Sequence, residues 1–267
     1  VGVFFDQHPD IFDSYNAVLA ATEYSLVTTK AARNVIKRRA KFLSLPLSTN
    51  NGQSMLTFDF LKMDVKKSKL TAEVIMKYLK SSSRIQIKTD AGTDLTLMKR
   101  GRMPGFFNGV TADGGGFSSA SIEVYIPVEE CGTNGTMVID GSLGYIGAAR
   151  EDTRVVFKEG RIVEIEETPT GKRLKEYMEG YHDSGIYVAG ELGIGLNSYS
   201  QCAGRCYIED ESAYGTFHIG LGRNIALGGT HEANGHFDLV AREPNLFADN
   251  RQLIRQGRII IPEPVFF

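Results

Sequence analysis

The sequence predicts an α/β protein in which an N-terminal parallel α/β layer, residues 1–82, precedes a β-rich C-terminal domain, residues 83–267. Two observations support this fold class. Up to residue 82, helix-like and strand-like segments alternate, which is typical of a parallel sheet covered by helices. Beyond that point, strand-like segments separated by glycines follow one another with one short helical interruption. We therefore place a domain boundary near Ser82 and expect the β-rich domain to carry the functional site.

In the first part, helical and extended segments are predicted in turn. Residues 1–5 (VGVFF) are expected to be extended, and apolar residues at helical spacing predict a helix over 10–21. A basic helix and the strand FLSLPL follow within residues 30–47, and further helical segments are predicted over 56–61 and 70–79. The basic helix lacks interleaved aromatic residues, so its charges are expected to face solvent rather than nucleic acid. The first residue is not Met, and we expect the natural chain to begin earlier.

The β-rich part is predicted from short alternating segments. RIQIK and the run 94–98 are expected to pair around a turn, and Glu159–Gly160 predicts a tight hairpin. Residues 171–180 form the one predicted helix. Further strands are expected over residues 121–127, 136–140, 153–158, 161–166, 186–189, 237–240 and 258–261.

Composition excludes several classes of protein. The apolar content of 42%, the charged content of 23% and the net charge of −2 give no electrostatic reason to expect nucleic-acid or membrane binding. The three cysteines form no disulfide framework, which favours a reducing compartment such as the cytoplasm. Cys202 and Cys206 are spaced to bind a metal or to pair, although two unrelated loop residues are the simpler interpretation.

Histidines and acids concentrate between residues 181 and 238, where we look first for a metal site. His236 and Asp238 lie two apart in HFDLV, so on a strand both side chains point to the same face, about 7 Å apart along it. His218 in TFHIGLG and Glu191 after IYVAG lie at other strand-like segments. Imidazoles with carboxylates suit zinc, manganese, cobalt or non-haem iron. A hydrogen-bonded surface pair remains the alternative for His236 and Asp238 alone.

Several phrases, in order, resemble the aminopeptidase T family of metallopeptidases. They are YSLVTTKAAR, EVYIPVE with NGTMVIDG, GELGIGLN, DESAYGTFHIGLG and HFDLV. The resemblance covers most of the chain from about Thr22 to Val240. It implies a two-domain homodimer that removes N-terminal residues from small peptides with a pair of divalent ions, zinc, cobalt or manganese. It also implies the metal ligands Glu123, Glu191, His218, His236 and Asp238.

The same resemblance implies catalytic roles for two acids. Glu191 or Glu211 would act as the general base for metal-activated water. Glu129 or Glu130 could replace Glu123, because the phrase around Pro127 is one residue short. The family carries a tyrosine at a position near Ile225, and this chain has no phenol there, which removes an expected oxyanion donor.

Two other functions remain open. A related branch resembles the 2,5-dihydroxypyridine dioxygenases, ring-cleaving enzymes with one ferrous ion, whose H-x-D phrase matches His236 and Asp238. That branch has a histidine where Glu191 stands and no counterpart of His218, and we take both differences to favour the peptidase. A relative that binds metal without turnover is the third possibility.

Overall fold

A small parallel sheet forms the first part of the molecule. The computed structural model describes residues 2–111 and 117–261. The first elements are helix α1 (Gly2–Gln7), strand β1 (Ala17–Thr22), helix α2 (Lys30–Lys37) and strand β2 (Lys41–Pro46). Strands β1 and β2 pair in parallel along their whole length. The predicted α/β layer with a parallel sheet is therefore confirmed.

Two local predictions at the start of the chain are wrong. The described part of residues 1–5 is helical, and residues 17–21 of the predicted helix belong to strand β1. The apolar spacing that predicted this helix does not mark a buried helical face, since Leu19 is 62% exposed. The hydrogen bonds supplied by β2 outweigh the local pattern here, as tertiary pairing commonly does.

A long helix leads into the large antiparallel sheet. After two short 3₁₀ segments, helix α3 (Val65–Ser81) begins at Asp64, whose carboxylate accepts hydrogen bonds from two backbone amides. The next elements are strands β3 (Arg84–Lys88), β4 (Asp94–Met98), β5 (Gly105–Phe107), β6 (Phe117–Ser119), β7 (Glu123–Pro127), β8 (Asn134–Ile139), β9 (Thr153–Lys158) and β10 (Arg161–Ile165). The hairpin between β9 and β10 turns at Glu159 and Gly160, both with positive φ, as predicted.

The remaining elements complete two antiparallel sheets. They are helix α4 (Pro169–Glu179), strand β11 (Ala189–Gly195), helix α5 (Tyr207–Ser212), and strands β12 (Thr216–Gly222), β13 (His236–Arg242), β14 (Asn245–Ala248), β15 (Arg251–Arg255) and β16 (Arg258–Ile259). The eight-stranded sheet has the order β10-β9-β8-β4-β3-β14-β15-β16. The five-stranded sheet has the order β13-β12-β11-β7-β5. One apolar core joins both sheets with α3 and α4.

The two predicted parts share a sheet. Strand β6, which follows residue 82 in the chain, adds to the parallel sheet beside β2. The boundary near Ser82 stays a prediction. In the part of the chain that the structure describes, no helix is both long and apolar enough to cross a membrane.

Candidate metal centre

The five-stranded sheet has one apolar face and one polar face. On β12, Phe217 and Ile219 are fully buried in the apolar core, and the alternation of a strand turns His218 and Gly220 to the opposite face. All seven residues of this strand are buried, so both faces are covered. A histidine and a glycine inside a buried strand therefore mark a polar, closely packed site.

The neighbouring strands contribute to the same polar face. Strand β11 alternates Leu192 in the core with Glu191 on the polar face, and β13 alternates Phe237 with His236 and Asp238. The register places Gly220 opposite both Glu191 and Asp238. At the other end of β11, Gly195 pairs with Glu123 of β7. We call the five polar residues the acid–imidazole cluster: Glu123, Glu191, His218, His236 and Asp238.

Two glycines make room for this cluster. A Cβ atom on Gly193 would lie 2.0 Å from the imidazole of His218. A Cβ atom on Gly220 would lie 2.7 Å from Cε1 of His236 and 2.9 Å from the carboxylate of Glu191. Side chains at these two positions would fill the space where the imidazoles and carboxylates converge. The glycines of GELGIG and HIGLG thus have a packing role at the site.

The ligating atoms form two overlapping groups. Among residues 2–111 and 117–261, Glu123, Glu191 and His218 bring one atom each within 4.8 Å of one another, and so do Glu191, His236 and Asp238. Glu191 belongs to both groups. In the first, Nε2 of His218 lies 3.0 Å from Oε2 of Glu123. In the second, Nε2 of His236 lies 3.1 Å from Oε2 of Glu191 and 3.4 Å from Oδ1 of Asp238.

The donor set fits a divalent cation. Oε2 of Glu123 and Oδ1 of Asp238, which both lie within 4 Å of Nε2 of His218, are buried without a hydrogen-bond partner among the described residues. Buried polar atoms are normally paired, so orphans at one point indicate a ligand that would satisfy them. Nδ1 of His236 bonds to the carbonyl of Arg223 at 2.8 Å, which leaves Nε2 facing the acids. The cluster is therefore suited to a divalent metal ion.

Charge coupling within the cluster is strong. Burial acts to lower the pKa of His218, but the carboxylate of Glu123 and two further acids outweigh it and raise that pKa to about 9. The pKa of His236 is likewise raised well above its usual value, because Asp238 and Glu191 outweigh burial. Burial raises the pKa of Glu191. Without a cation, protons on the imidazoles balance the acids.

Glu211 lies beside the cluster on the short helix α5. The helix is completely buried, and it contacts strands β11, β12 and β13. Burial raises the pKa of Glu211 well above its usual range, and the charge of Glu123 adds to the effect. Glu211 belongs to neither group of ligating atoms among the described residues. Its carboxyl group lines the same cavity and favours the protonated form more strongly than an exposed glutamate does.

A cavity of about 300 Å³ opens onto the cluster. Its walls carry the rings of Tyr24, Tyr145, Tyr177 and Tyr181. The rings of Tyr24 and Tyr145 meet edge to face at 5.1 Å, and the hydroxyls of Tyr177 and Tyr181 lie 3.1 Å apart. Tyr24 lies in a loop, Tyr145 in a 3₁₀ turn and Tyr177 on α4, and Tyr181 lies in the turn that follows α4. A cavity of this size, with aromatic walls and converging polar groups, suits a small planar molecule.

Other sequence candidates lie outside the cluster. Glu129 pairs with Arg100, and Glu130 pairs with Arg102, so neither takes the place of Glu123. Cys202 and Cys206 are free thiols whose pKa values burial raises to about 12 and about 11. Neither thiol belongs to a group of ligating atoms in the described ranges.

Sequence patterns did not identify several residues of the site. Ser121 donates a hydrogen bond to Oε1 of Glu123 at 2.7 Å, and the carbonyl of Arg223 orients His236. The four tyrosines of the cavity come from three separate segments, and a local spacing links only Tyr177 and Tyr181, which are four residues apart. Of these residues, only Ser121 could have been found from the sequence. It lies two residues before Glu123 in the predicted strand, so its side chain points to the same face as that of Glu123.

The family model and the curated relative point to one family. The family model described as NicX: 2,5-dihydroxypyridine 5,6-dioxygenase matches residues 55–261, which include the whole acid–imidazole cluster. The chain is 24% identical over 214 residues to the 2,5-dihydroxypyridine 5,6-dioxygenase of Pseudomonas putida KT2440. That alignment covers 75% of this chain and 60% of the relative, so the chain spans well under two thirds of the relative's length.

Two solved structures share the fold. The structure of 2,5-dihydroxypyridine dioxygenase from Pseudomonas putida KT2440 matches with a TM-score of 0.76 at 18% identity, covering 96% of this chain and 75% of that one. Wild-type AmpT from Thermus thermophilus matches with a TM-score of 0.55 at 18% identity, covering 73% and 55%. At these identities both likenesses concern the fold.

These findings overturn the aminopeptidase prediction. The family model and the curated relative are dioxygenases, so the hydrolase and protease assignments are wrong. The error arose because carboxylates and imidazoles serve hydrolytic and oxidative metals alike, so that the five ligand-type residues alone did not select the reaction. The relation to the dioxygenase branch is confirmed. Since the family model matches most of its length, the chain belongs to the family described as NicX: 2,5-dihydroxypyridine 5,6-dioxygenase.

Proposed function

We propose that this chain forms the metal-binding part of a ring-cleaving dioxygenase that acts on 2,5-dihydroxypyridine or a closely related hydroxylated pyridine. The family match over residues 55–261 carries the proposal, since it includes every residue of the acid–imidazole cluster. The aromatic walls of the cavity add support, because a single planar ring fits about 300 Å³.

We assign the iron to the group Glu191, His236 and Asp238. This group contains the H-x-D pair of β13, and its ligating atoms lie within 4.8 Å of one another. Ferrous iron accepts imidazole and carboxylate ligands, and when bound it supplies the one-electron and oxygen chemistry that protein side chains lack. Iron, rather than the zinc, cobalt or manganese that the peptidase resemblance implied, agrees with the family.

The side chains of this chain position the ring and hold a proton. The hydrogen bond to Arg223 fixes the proton of His236 on Nδ1, which keeps Nε2 available as a ligand. Glu211, whose pKa burial raises, lines the cavity and would donate a hydrogen bond from its carboxyl group to an oxygen of the bound ring. Glu191 serves as a ligand and stays outside proton transfer. The tyrosine rings orient the planar substrate and exclude water.

A second ion is proposed for the other group. Glu123, Glu191 and His218 lie as close together as the first group, and they share Glu191 with it. Glu191 would then supply a ligand atom to both ions. Iron analysis of the loaded protein should give two ions per chain, and His218→Gln should reduce this to one. A ratio of one in both proteins would limit the centre to a single ion.

Oxygen uptake tests the proposed function. The full-length protein, loaded with Fe(II) without oxygen, should consume one O₂ per 2,5-dihydroxypyridine as the aromatic absorbance disappears. Asp238→Asn should lower the rate at least a hundredfold, because it removes a ligand charge. Glu129→Gln, which alters an acid outside the cluster, should keep the wild-type rate. Iron-loaded protein that binds the ring without oxygen uptake would instead establish a non-catalytic relative.

A further inference from the structure

Arg223 organises the loop that leads from β12 to His236. Its backbone amide donates a hydrogen bond to the carbonyl of Gly235 at 2.9 Å, and its Nε donates to the carbonyl of Ala233 at 2.9 Å. Its own carbonyl accepts the Nδ1 proton of His236 at 2.8 Å. One residue therefore closes the loop 223–235 and orients the imidazole that follows it.

Asp6 holds Arg223 from the far end of the chain. Oδ2 of Asp6 accepts a hydrogen bond from Nη1 of Arg223 at 2.7 Å, and its Oδ1 accepts one from the backbone amide of Lys30 at 2.8 Å. The two side chains are only 14% and 13% exposed. The acid thus joins α1, the start of α2 and the loop before β13 at one point.

We propose that Asp6 is a positioning residue for the metal ligand His236 and acts through Arg223, an inference that uses only the metal site of the proposed function. A charge-assisted pair with little exposure is rigid, and it fixes the direction of the guanidinium. Without Asp6, the guanidinium would turn to its other acidic neighbour, Glu232, whose carboxylate lies 3.7 Å from Nε and is 57% exposed.

This movement of the Arg223 guanidinium would also change the orientation of the metal ligand His236. When the guanidinium turns outward, Nε leaves the carbonyl of Ala233, and the closed end of the loop loosens. The carbonyl of Arg223 then no longer holds the imidazole of His236 in one orientation. Groups that orient metal ligands typically change metal affinity by about 10- to 100-fold when they are removed. Because Asp6 acts one step further out, we expect about a tenfold loss.

Titration of the metal-free full-length protein with Mn(II), followed by electron paramagnetic resonance, tests the inference. Asp6→Asn should raise the Mn(II) dissociation constant about tenfold, and Asp6→Glu should restore most of the affinity. Asp13→Asn is the matched control, since Asp13 pairs with Arg38 in the same layer at 3.2 Å and lies outside the cluster. A merely structural role would leave the dissociation constant unchanged.

A second variant tests the same contact if Asp6→Asn does not fold. Arg223→Lys keeps a positive charge facing Asp6 but lacks the Nε donor to Ala233, and it should weaken Mn(II) binding similarly. Wild-type affinity in both Asp6→Asn and Arg223→Lys would overturn the inference, and so would wild-type protein that binds no Mn(II). Absence of ring cleavage with normal Mn(II) binding would overturn the proposed reaction alone.

Discussion

Gly220 sets how closely the acids and imidazoles approach. It pairs with Asp238 on one side and Glu191 on the other, and a Cβ atom there would meet His236 as well. The sequence predicted the partnership of His236 and Asp238, because strand alternation needs only two residues. It did not predict the spacing role of the glycine, since that depends on which strands lie side by side.

Gly220→Ala should weaken metal binding while leaving the protein folded. The added methyl group, 2.7 Å from Cε1 of His236, must displace a ligand. We expect at least a tenfold weaker affinity for Fe(II) in an anaerobic titration. Gly180→Ala is the control, since Gly180 is exposed with an ordinary helical φ of −61°. Equal affinity in the two variants would refute the packing role of Gly220.

The stability of the metal-free protein should fall as pH rises above neutrality. The folded-state pKa of His218, about 9, exceeds its ordinary value of 6.5. The stabilisation by its proton is therefore complete below pH 6.5 and is lost as pH rises through 9. Asp238 has a lowered pKa, so the stability that its charge contributes is present at neutral pH and is lost only as the pH falls into the acidic range.

Thermal unfolding of chelator-treated protein between pH 6 and 9.5 measures this loss. His218→Gln should show a clearly shallower decrease in Tm with pH than the wild type, because it lacks one of the two imidazoles whose pKa is raised. Parallel curves for the two proteins would show that His218 does not carry the proton.

At the level of elements, strands with strong alternation were predictable and the short buried helix was not. The alternation of apolar and polar residues in RIQIK and TRVVFK predicts their strands. Helix α5 has six residues that are all buried, so its sequence shows no amphipathic period. Its position is set by contacts with β11, β12 and β13. The misassigned helix over 10–21 has the same origin, since β2 decides the conformation of β1.

Phe217→Ala tests the division of β12 into two faces. Phe217 is completely buried in the apolar core, so its truncation should lower the free energy of unfolding by about 3–5 kcal/mol. Val163→Ala, at a residue that is 59% exposed, should change it by less than about 0.5 kcal/mol. Denaturant unfolding measures both. A small effect at Phe217 would mean that the faces are assigned wrongly.

In the whole molecule, the N-terminal layer and the antiparallel sheet together line the cavity at the acid–imidazole cluster. Gly2, Tyr24 and Thr28 line it together with the acid–imidazole cluster. The sequence predicted both layers but could not predict the shared cavity, because the layers meet through residues that are distant in the chain. The sequence kept the dioxygenase family only as an alternative, since the match to that family extends over residues 55–261 rather than over the ligands alone.

Metal binding should stabilise the whole chain. At a hundredfold excess of Fe(II) over its dissociation constant, the free energy of unfolding should rise by about 2.7 kcal/mol. Glu191→Gln should abolish most of this rise, because Glu191 belongs to both groups of ligating atoms. Glu129→Gln should retain it. Anaerobic denaturant titrations provide the comparison, and an equal rise in both variants would place the ion elsewhere.

Anomalous diffraction at the iron edge, from crystals of the full-length protein grown anaerobically with Fe(II), tests the metal centre most directly. We expect a peak among Nε2 of His236, Oδ1 of Asp238 and the carboxylate of Glu191. Iron peaks bound only by residues outside the acid–imidazole cluster, or no peak in crystals that contain bound iron, would contradict the assignment.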